Sequence, residues 1–193
     1  KTVATDSHRM SQKVITLEKN GDNFDVVIPS RSLREFTSVF SDDIETVEVF
    51  FANNQILFRS EHISFYTRLL EGNYPDTDRL IPTEFNTEAT FNVANLRFSM
   101  ERARLLSNAT QNGTVKLEFK NGVVSSHVHS PEVGRVNEEI DTSAVSGEDL
   151  SISFNPTYLI EALKAIDSEQ VVIRFISSVR PFTLVPEGNE QGF

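Results

Sequence analysis

Ile152-Ser153-Phe154-Asn155-Pro156-Thr157-Tyr158-Leu159 is the stretch from which the rest of the chain can be divided. A short β-type run ends at Asn155, whose side chain suits a helix cap. Pro156 then takes the first helical position, where its missing N–H is no loss. The spacing predicts a strand followed by a helix from Pro156 to Ile166. Working outward, the same plan occurs twice more. Phe24-Asp25-Val26-Val27-Ile28-Pro29-Ser30 precedes a helix over Arg31 to Phe40, and Thr90-Phe91-Asn92-Val93 precedes a helix over Ala94 to Ser107. The unit recurs at roughly 65 residues, longer than most solenoid repeats, and so predicts duplicated half-domains.

Each helix leads into hairpin-like strands. Val47 to Phe51 and Ile56 to Phe58 flank Asn53-Asn54. Val115 to Phe119 and Val123 to His127 flank Asn121-Gly122, the strongest short hairpin signal because both turn positions need positive φ. Val171 to Ile176 and Phe182 to Val185 follow the third helix. Helices with antiparallel strands make an α+β chain. Between Tyr74-Pro75 and Ile81-Pro82 the prolines predict an extended connector, and the domain boundary is expected there.

The 193 residues can bury one generous core or two small ones. The chain lacks cysteine, which excludes a disulfide framework and a cysteine zinc site and fits a reducing compartment such as the cytoplasm. No apolar run approaches the roughly 20 residues of a membrane span, so no membrane partner is expected. The chain opens at Lys1 in the strand-like run Thr2-Val3-Ala4-Thr5, which reads as a fragment whose start lies upstream; no closing strand is visible at Gly192-Phe193. With 18 basic and 28 acidic residues the net charge is −10, so any nucleic-acid contact must use a locally basic face. Fifteen phenylalanines and no tryptophan suit a β-rich core.

Candidates for chemistry are sparse. Asp6 and His8 have no third ligand nearby, and a metal site needs at least three. His127 and His129 lie two apart on an expected strand and share a face, a possible metal clip, although surface histidines are commoner there. Glu138-Glu139 with Asp141 reads equally as a charged strand edge that blocks pairing or as a patch for a basic partner. No phosphate loop, Gly-x-Ser-x-Gly or kinase signature occurs, and nothing specifies an enzyme, metal or cofactor.

The helices carry more. Leu96, Met100, Ala103 and Leu106 form a core stripe in the second helix. Arg97 and Arg104 share a polar face with Glu101 between them, Arg31 and Arg34 share one on the first helix, and Lys164 lies on the polar side of the third. Spacing alone favours ordinary solvated faces with i,i+4 ion pairs.

Several blocks, in order, resemble the bacterial DNA sliding-clamp family, the beta subunit of the replicative polymerase. They are Thr2 through Met10, Leu70-Glu71-Gly72-Asn73-Tyr74-Pro75-Asp76, Arg79-Leu80-Ile81-Pro82, Arg104-Leu105-Leu106-Ser107-Asn108, Phe154-Asn155-Pro156-Thr157-Tyr158-Leu159 and Ser178-Val179-Arg180-Pro181-Phe182. The resemblance implies the DNA-clamp fold, with helices lining the inside of a ring and antiparallel sheets outside. It implies that residues 1–74 are part of the middle clamp domain, 75–88 a connector and 89–193 the last domain without its final strand. It also implies a homodimeric ring in the full-length protein. Such a ring encircles double-stranded DNA without reading sequence and tethers polymerase, clamp loader and repair proteins that carry short linear motifs. It is a non-catalytic processivity factor.

Carried over by motif, the peptide-binding groove comprises Thr5, Ser7, His8, Arg9, Met10, Pro75, Arg79, Leu80, Asn155, Tyr158, Val179 and Pro181. Ser7 stands where many members have glycine, and Ala109 to Gly113 lacks an aromatic that some members place there. On the same basis Arg31, Arg34, Arg97, Arg104 and Lys164 become the DNA-facing residues, and Leu105, Leu106, Glu138 and Glu139 the dimer interface. The partner surface would belong to the absent first domain, so this fragment alone is expected not to close a ring. The alternative is a stand-alone β-rich interaction module, which would lack a basic concavity; an acidic hydrolase would need converging titratable groups.

Overall fold

A computed structural model describes residues 1–16, 23–40, 43–107, 113–130 and 134–188. Ala109 to Asn112, most of the stretch that lacks the aromatic, and the terminal Gly192-Phe193 lie outside the described residues. The chain divides into two compact units, Leu17–Asp76 and a second made of Lys1–Thr16 with Thr77–Phe193.

The chain opens with a hairpin of β1 (Thr2–Thr5) and β2 (Met10–Lys13), closed by the pair Thr5–Met10. The Leu17–Asp76 unit then places α1 (Ser30–Val39) before a meander of β3 (Glu48–Ala52), β4 (Gln55–Arg59) and β5 (Ser64–Arg68), in that spatial order. Its small core is Phe40, Ile56 and Phe58, with Phe36 of α1 packed on Phe40 and Phe58 at centroid distances of 4.5 and 4.6 Å. The run Phe24 to Ile28, expected as a strand, makes only an isolated bridge, Val27 to Leu70. Two features stop the ladder: Pro29 has no N–H to donate, and two residues beyond Leu70 the partner chain turns at Gly72 with φ +114.

The larger unit holds β6 (Thr87–Asn92), α2 (Val93–Ser107), β7 (Val115–Lys120), β8 (Val123–Ser130), β9 (Gly134–Ile140), β10 (Ala144–Gly147), β11 (Leu150–Phe154), α3 (Pro156–Lys164), β12 (Gln170–Phe175) and β13 (Thr183–Pro186). They form two antiparallel four-stranded sheets, β10-β6-β12-β13 and β11-β7-β8-β9. Strict alternation of buried and half-buried residues along β6 and β12 puts one face of each strand into the core. Asn92 Oδ1 accepts from the N–H of Asn95 and so caps α2. Between β7 and β8, Asn121 and Gly122 both take positive φ, 51° and 77°, as the sequence requires.

The core joins Leu96, Met100 and Ala103 of α2 and Leu159, Ile160 and Leu163 of α3 to Phe91, Leu117, Phe119 and Phe175 from the sheets. Leu106 is only partly buried against this cluster. Phe119, Phe175, Phe182 and Phe154 form a chain of ring contacts at 4.9, 5.3 and 5.2 Å, which is where part of the phenylalanine excess goes. At the end of β10, Gly147 has φ +97, and a Cβ there would sit 1.9 Å from the Asn86 carbonyl oxygen. Glycine is the residue that allows this close backbone approach.

Candidate functional site

The β1–β2 loop, Asp6 to Arg9, is held by its own polar groups. Asp6 Oδ1 accepts from the backbone N–H groups of His8 and Arg9, both at 3.1 Å. Thr5 Oγ1 donates to the Arg9 carbonyl at 2.8 Å, and the Asp6 N–H reaches the same oxygen at 3.3 Å. Ser7 sits at φ 73, the left-handed region that favours glycine. Glycine would take that conformation without the strain that a Cβ brings.

The loop presents His8 and Arg9 to α3. Asn155 fixes the start of that helix by accepting from the Thr157 N–H at 2.9 Å. Tyr158 and Glu161, one turn apart, then share the face that meets the loop. The His8 and Tyr158 rings stack with centroids 5.9 Å apart and planes within 16°. The Arg9 guanidinium lies 4.8 Å from the Tyr158 centroid, and its two edges engage Glu161 Oε2 at 2.5 Å and Asp6 Oδ2 at 2.9 Å. The Glu161 hydrogen bond, then that of Asp6, raises the Arg9 pKa above its ordinary value. The backbone N–H of His8, then the Arg9 side chain, holds the Asp6 carboxyl below its usual value. A half-buried tyrosine ring is thereby framed by an imidazole and a doubly neutralised guanidinium, a surface suited to an apolar anchor flanked by polar contacts.

Met10 pairs with Thr5 across the hairpin and is half-buried. Arg79 and Leu80 lie in a 3₁₀ turn, Asp78–Leu80, which Lys1 ties to the hairpin by its ion pair with Asp78. Val179 and Pro181 are exposed in the loop between β12 and β13, just ahead of Phe182. Leu80 and Val179 are strongly exposed apolar side chains, at 63% and 88%. Pro75 falls in the Leu17–Asp76 unit. Sequence reasoning missed Glu161 and the structural part of Asp6. The spacing Tyr158 to Glu161 was the available signal, but it acquires meaning only once Arg9 is brought opposite.

The expected DNA-facing residues are all at least partly accessible. Arg31 and Arg34 are exposed on α1, and Arg31 pairs with Glu35 at 3.0 Å. On α2, Arg97 is half-buried, 3.9 Å from Glu101, too long for a hydrogen bond, and Arg104 is half-buried one turn beyond Glu101. Lys164 is exposed in the last turn of α3.

At the expected interface, Leu105 is 72% exposed and Leu106 half-buried. Glu138 and Glu139 lie on β9, an edge strand. Glu138 is engaged internally by Arg102 and Ser99 of α2, while Glu139 is exposed. His127 uses both ring nitrogens, on Asn137 Oδ1 at 2.8 Å and Ser125 Oγ at 3.1 Å, and His129 stands opposite Arg135. Among the described residues no three His, Asp or Glu converge as metal ligands, and no helix is long and apolar enough to cross a membrane.

Comparison with known proteins matches residues 1–76 to the central domain of the DNA polymerase III beta subunit and residues 78–192 to its C-terminal domain. The chain is 80% identical over 193 residues to the beta sliding clamp of Streptococcus pneumoniae serotype 4. It is 53% identical over 195 aligned residues to that of Lactococcus lactis. In both cases it spans about half of the relative's length, 51%. The solved DNA polymerase III beta chain of S. pneumoniae superposes with a TM-score of 0.95 over 99% of this chain and 51% of that one, at 80% identity. The sliding clamp of Bacillus subtilis superposes with a TM-score of 0.92 over 97% of this chain and 50% of that one, at 36% identity. Helix-plus-antiparallel-sheet units, the hairpin-to-α3 contact and these likenesses together establish that the chain belongs to the DNA polymerase III beta-subunit family, over its central and C-terminal domains.

Proposed function

We propose that the chain is the central and C-terminal part of a homodimeric DNA sliding clamp, a non-catalytic processivity factor of the cytoplasm. The observation that carries this reading is the unbroken likeness, through both domains, to the pneumococcal beta sliding clamp. The ring holds duplex DNA by topology, so its affinity for any sequence stays low. Polymerase bound to it is kept at high effective concentration near the primer end without further contacts. The charge distribution supports this division of labour. The chain carries −10 overall, yet α1, α2 and α3 bear Arg31, Arg34, Arg97, Arg102, Arg104 and Lys164 against Glu35, Glu101 and Glu161. Locally positive helices attract phosphates diffusely, which permits sliding, while an acidic remainder discourages binding elsewhere.

The hairpin-to-α3 surface serves as the docking groove for short linear motifs of polymerase, clamp loader and repair proteins. Apolar anchors rest near Tyr158, Leu80 and Val179, and the polar groups of the Asp6–Arg9 loop set register.

The test is topological. Full-length protein loaded onto nicked circular DNA is expected to survive a wash at high salt, which strips charge-held proteins, and to be released when the circle is cut. Equal loss from circular and linear DNA would remove the ring from the account.

A further inference from the structure

The Arg9 guanidinium is the one cation in direct contact with the Tyr158 ring among the described residues, and it is already matched by two carboxylates, Asp6 on its own loop and Glu161 on α3. Asp6 has a structural duty, since its Oδ1 also accepts from the backbone of His8 and Arg9. Glu161 has no other polar contact described and is exposed. Its position one turn after Tyr158 puts its charge at the rim of the surface that the ring offers.

From this arrangement we infer that Glu161 is a specificity-determining residue of the groove. By occupying Arg9 it leaves this end of the site with two negative charges and one positive. Peptides that bring a carboxylate to the Tyr158 end are thereby disfavoured, and peptides neutral or basic there are accepted. The inference rests on the groove reading above and goes beyond it by naming the charge of the ligand. The physical basis is competition: a ligand carboxylate that reaches Arg9 either displaces Glu161 or takes another N–H with the Glu161 charge beside it, and is repelled in both cases. Without Glu161 the Nη1 side of the same guanidinium opens to a ligand carboxylate, while Asp6 keeps its hold on Nε.

The experiment uses the full-length protein and fluorescence polarisation with amidated hexapeptides. The parent is Gln-Ser-Ser-Leu-Ser-Phe, and three derivatives each carry one Asp in place of a Ser. At one position Asp is expected to weaken binding to the native protein relative to Ser. Glu161→Gln is expected to recover that loss by about two- to fivefold, the range of a partly exposed ion pair, and to move the parent less than about twofold. Glu161→Asp, which keeps the charge, should retain the native preference. An Asp-to-Ser affinity ratio identical in the native protein and Glu161→Gln at all three positions would overturn the inference. A merely structural part for Glu161 would give that result, because loosening Arg9 weakens all peptides alike. A parent peptide that fails to bind the native protein would overturn the groove reading and this inference with it.

Discussion

Ser99 Oγ donates to Glu138 Oε1 at 2.8 Å, joining the middle of α2 to the edge strand β9. Ser99 is buried, and it accepts in turn from Arg102, whose guanidinium also grips Glu138. Arg102, then Ser99, holds the Glu138 carboxyl below its ordinary value of 4.5, against the opposing effect of burial. A carboxyl depressed in the folded state adds stability above its unfolded value and loses it as pH falls through the lower folded value. Glu138→Gln should therefore cost about 1 kcal/mol at pH 7, modest because Arg102 is more than half exposed. The gap between native and variant should narrow below pH 4.5. Urea melts at pH 7 and at pH 4 check both the size and the sign, and a gap that widens in acid would contradict the assignment.

Neighbouring leucines should behave differently. Leu105 is 72% exposed, so Leu105→Ala should change fold stability by less than about 0.5 kcal/mol. Leu106 packs against the core, and Leu106→Ala should cost about 1–2 kcal/mol, less than a fully buried leucine. If Leu105 faces a second protomer, its replacement in the full-length protein should shift dimer to monomer while the melting curve of the separated monomer stays put. Light scattering beside thermal melts distinguishes the two effects.

Gly147→Ala meets the Asn86 carbonyl at 1.9 Å and requires a left-handed backbone for alanine. Backbone has to move on one side or the other, and the pairing of β10 with β6 is at stake. A loss of at least about 3 kcal/mol is expected, above the ordinary cost of left-handed strain alone. A denaturation midpoint unchanged by this substitution would show that the approach is looser than described.

Asn155→Ala removes the side-chain acceptor at the start of α3 and should cost about 1 kcal/mol. Because Tyr158 lies in the first turn after that cap, peptide binding should weaken along with stability. Asn155→Asp, which keeps an acceptor, should restore stability. Parallel measurement of melting and peptide affinity tests the coupling.

Where local chemistry dictates geometry, the sequence was readable. Asn155-Pro156 placed the third helix, Asn121-Gly122 placed a hairpin, and the spacing of Leu96, Met100 and Ala103 gave the buried stripe of α2. The short strand Ala144–Gly147 was not readable, because an edge strand of small residues carries little alternation and owes its existence to β6. The run Phe24 to Ile28 carried a strand's composition but not a partner able to extend the ladder. At the site, His8, Arg9 and Tyr158 came from resemblance to a family, whereas Glu161 did not. Its meaning depends on a contact with a residue far away in the chain, and no local rule predicts such a contact.

The opening hairpin belongs in space with the later unit, although the family's central domain claims it in sequence. Arg9 is thus inherited with one domain and its counter-ion Glu161 with the other. Recombination between distant relatives at the linker would separate the two, leaving on one parent's loop a guanidinium with only Asp6 as counter-ion and a mismatched helix from the other. Chimeras joined near residue 77 should keep ligand selectivity only when both of these positions come from the same ancestor, so the two domains are constrained to drift together.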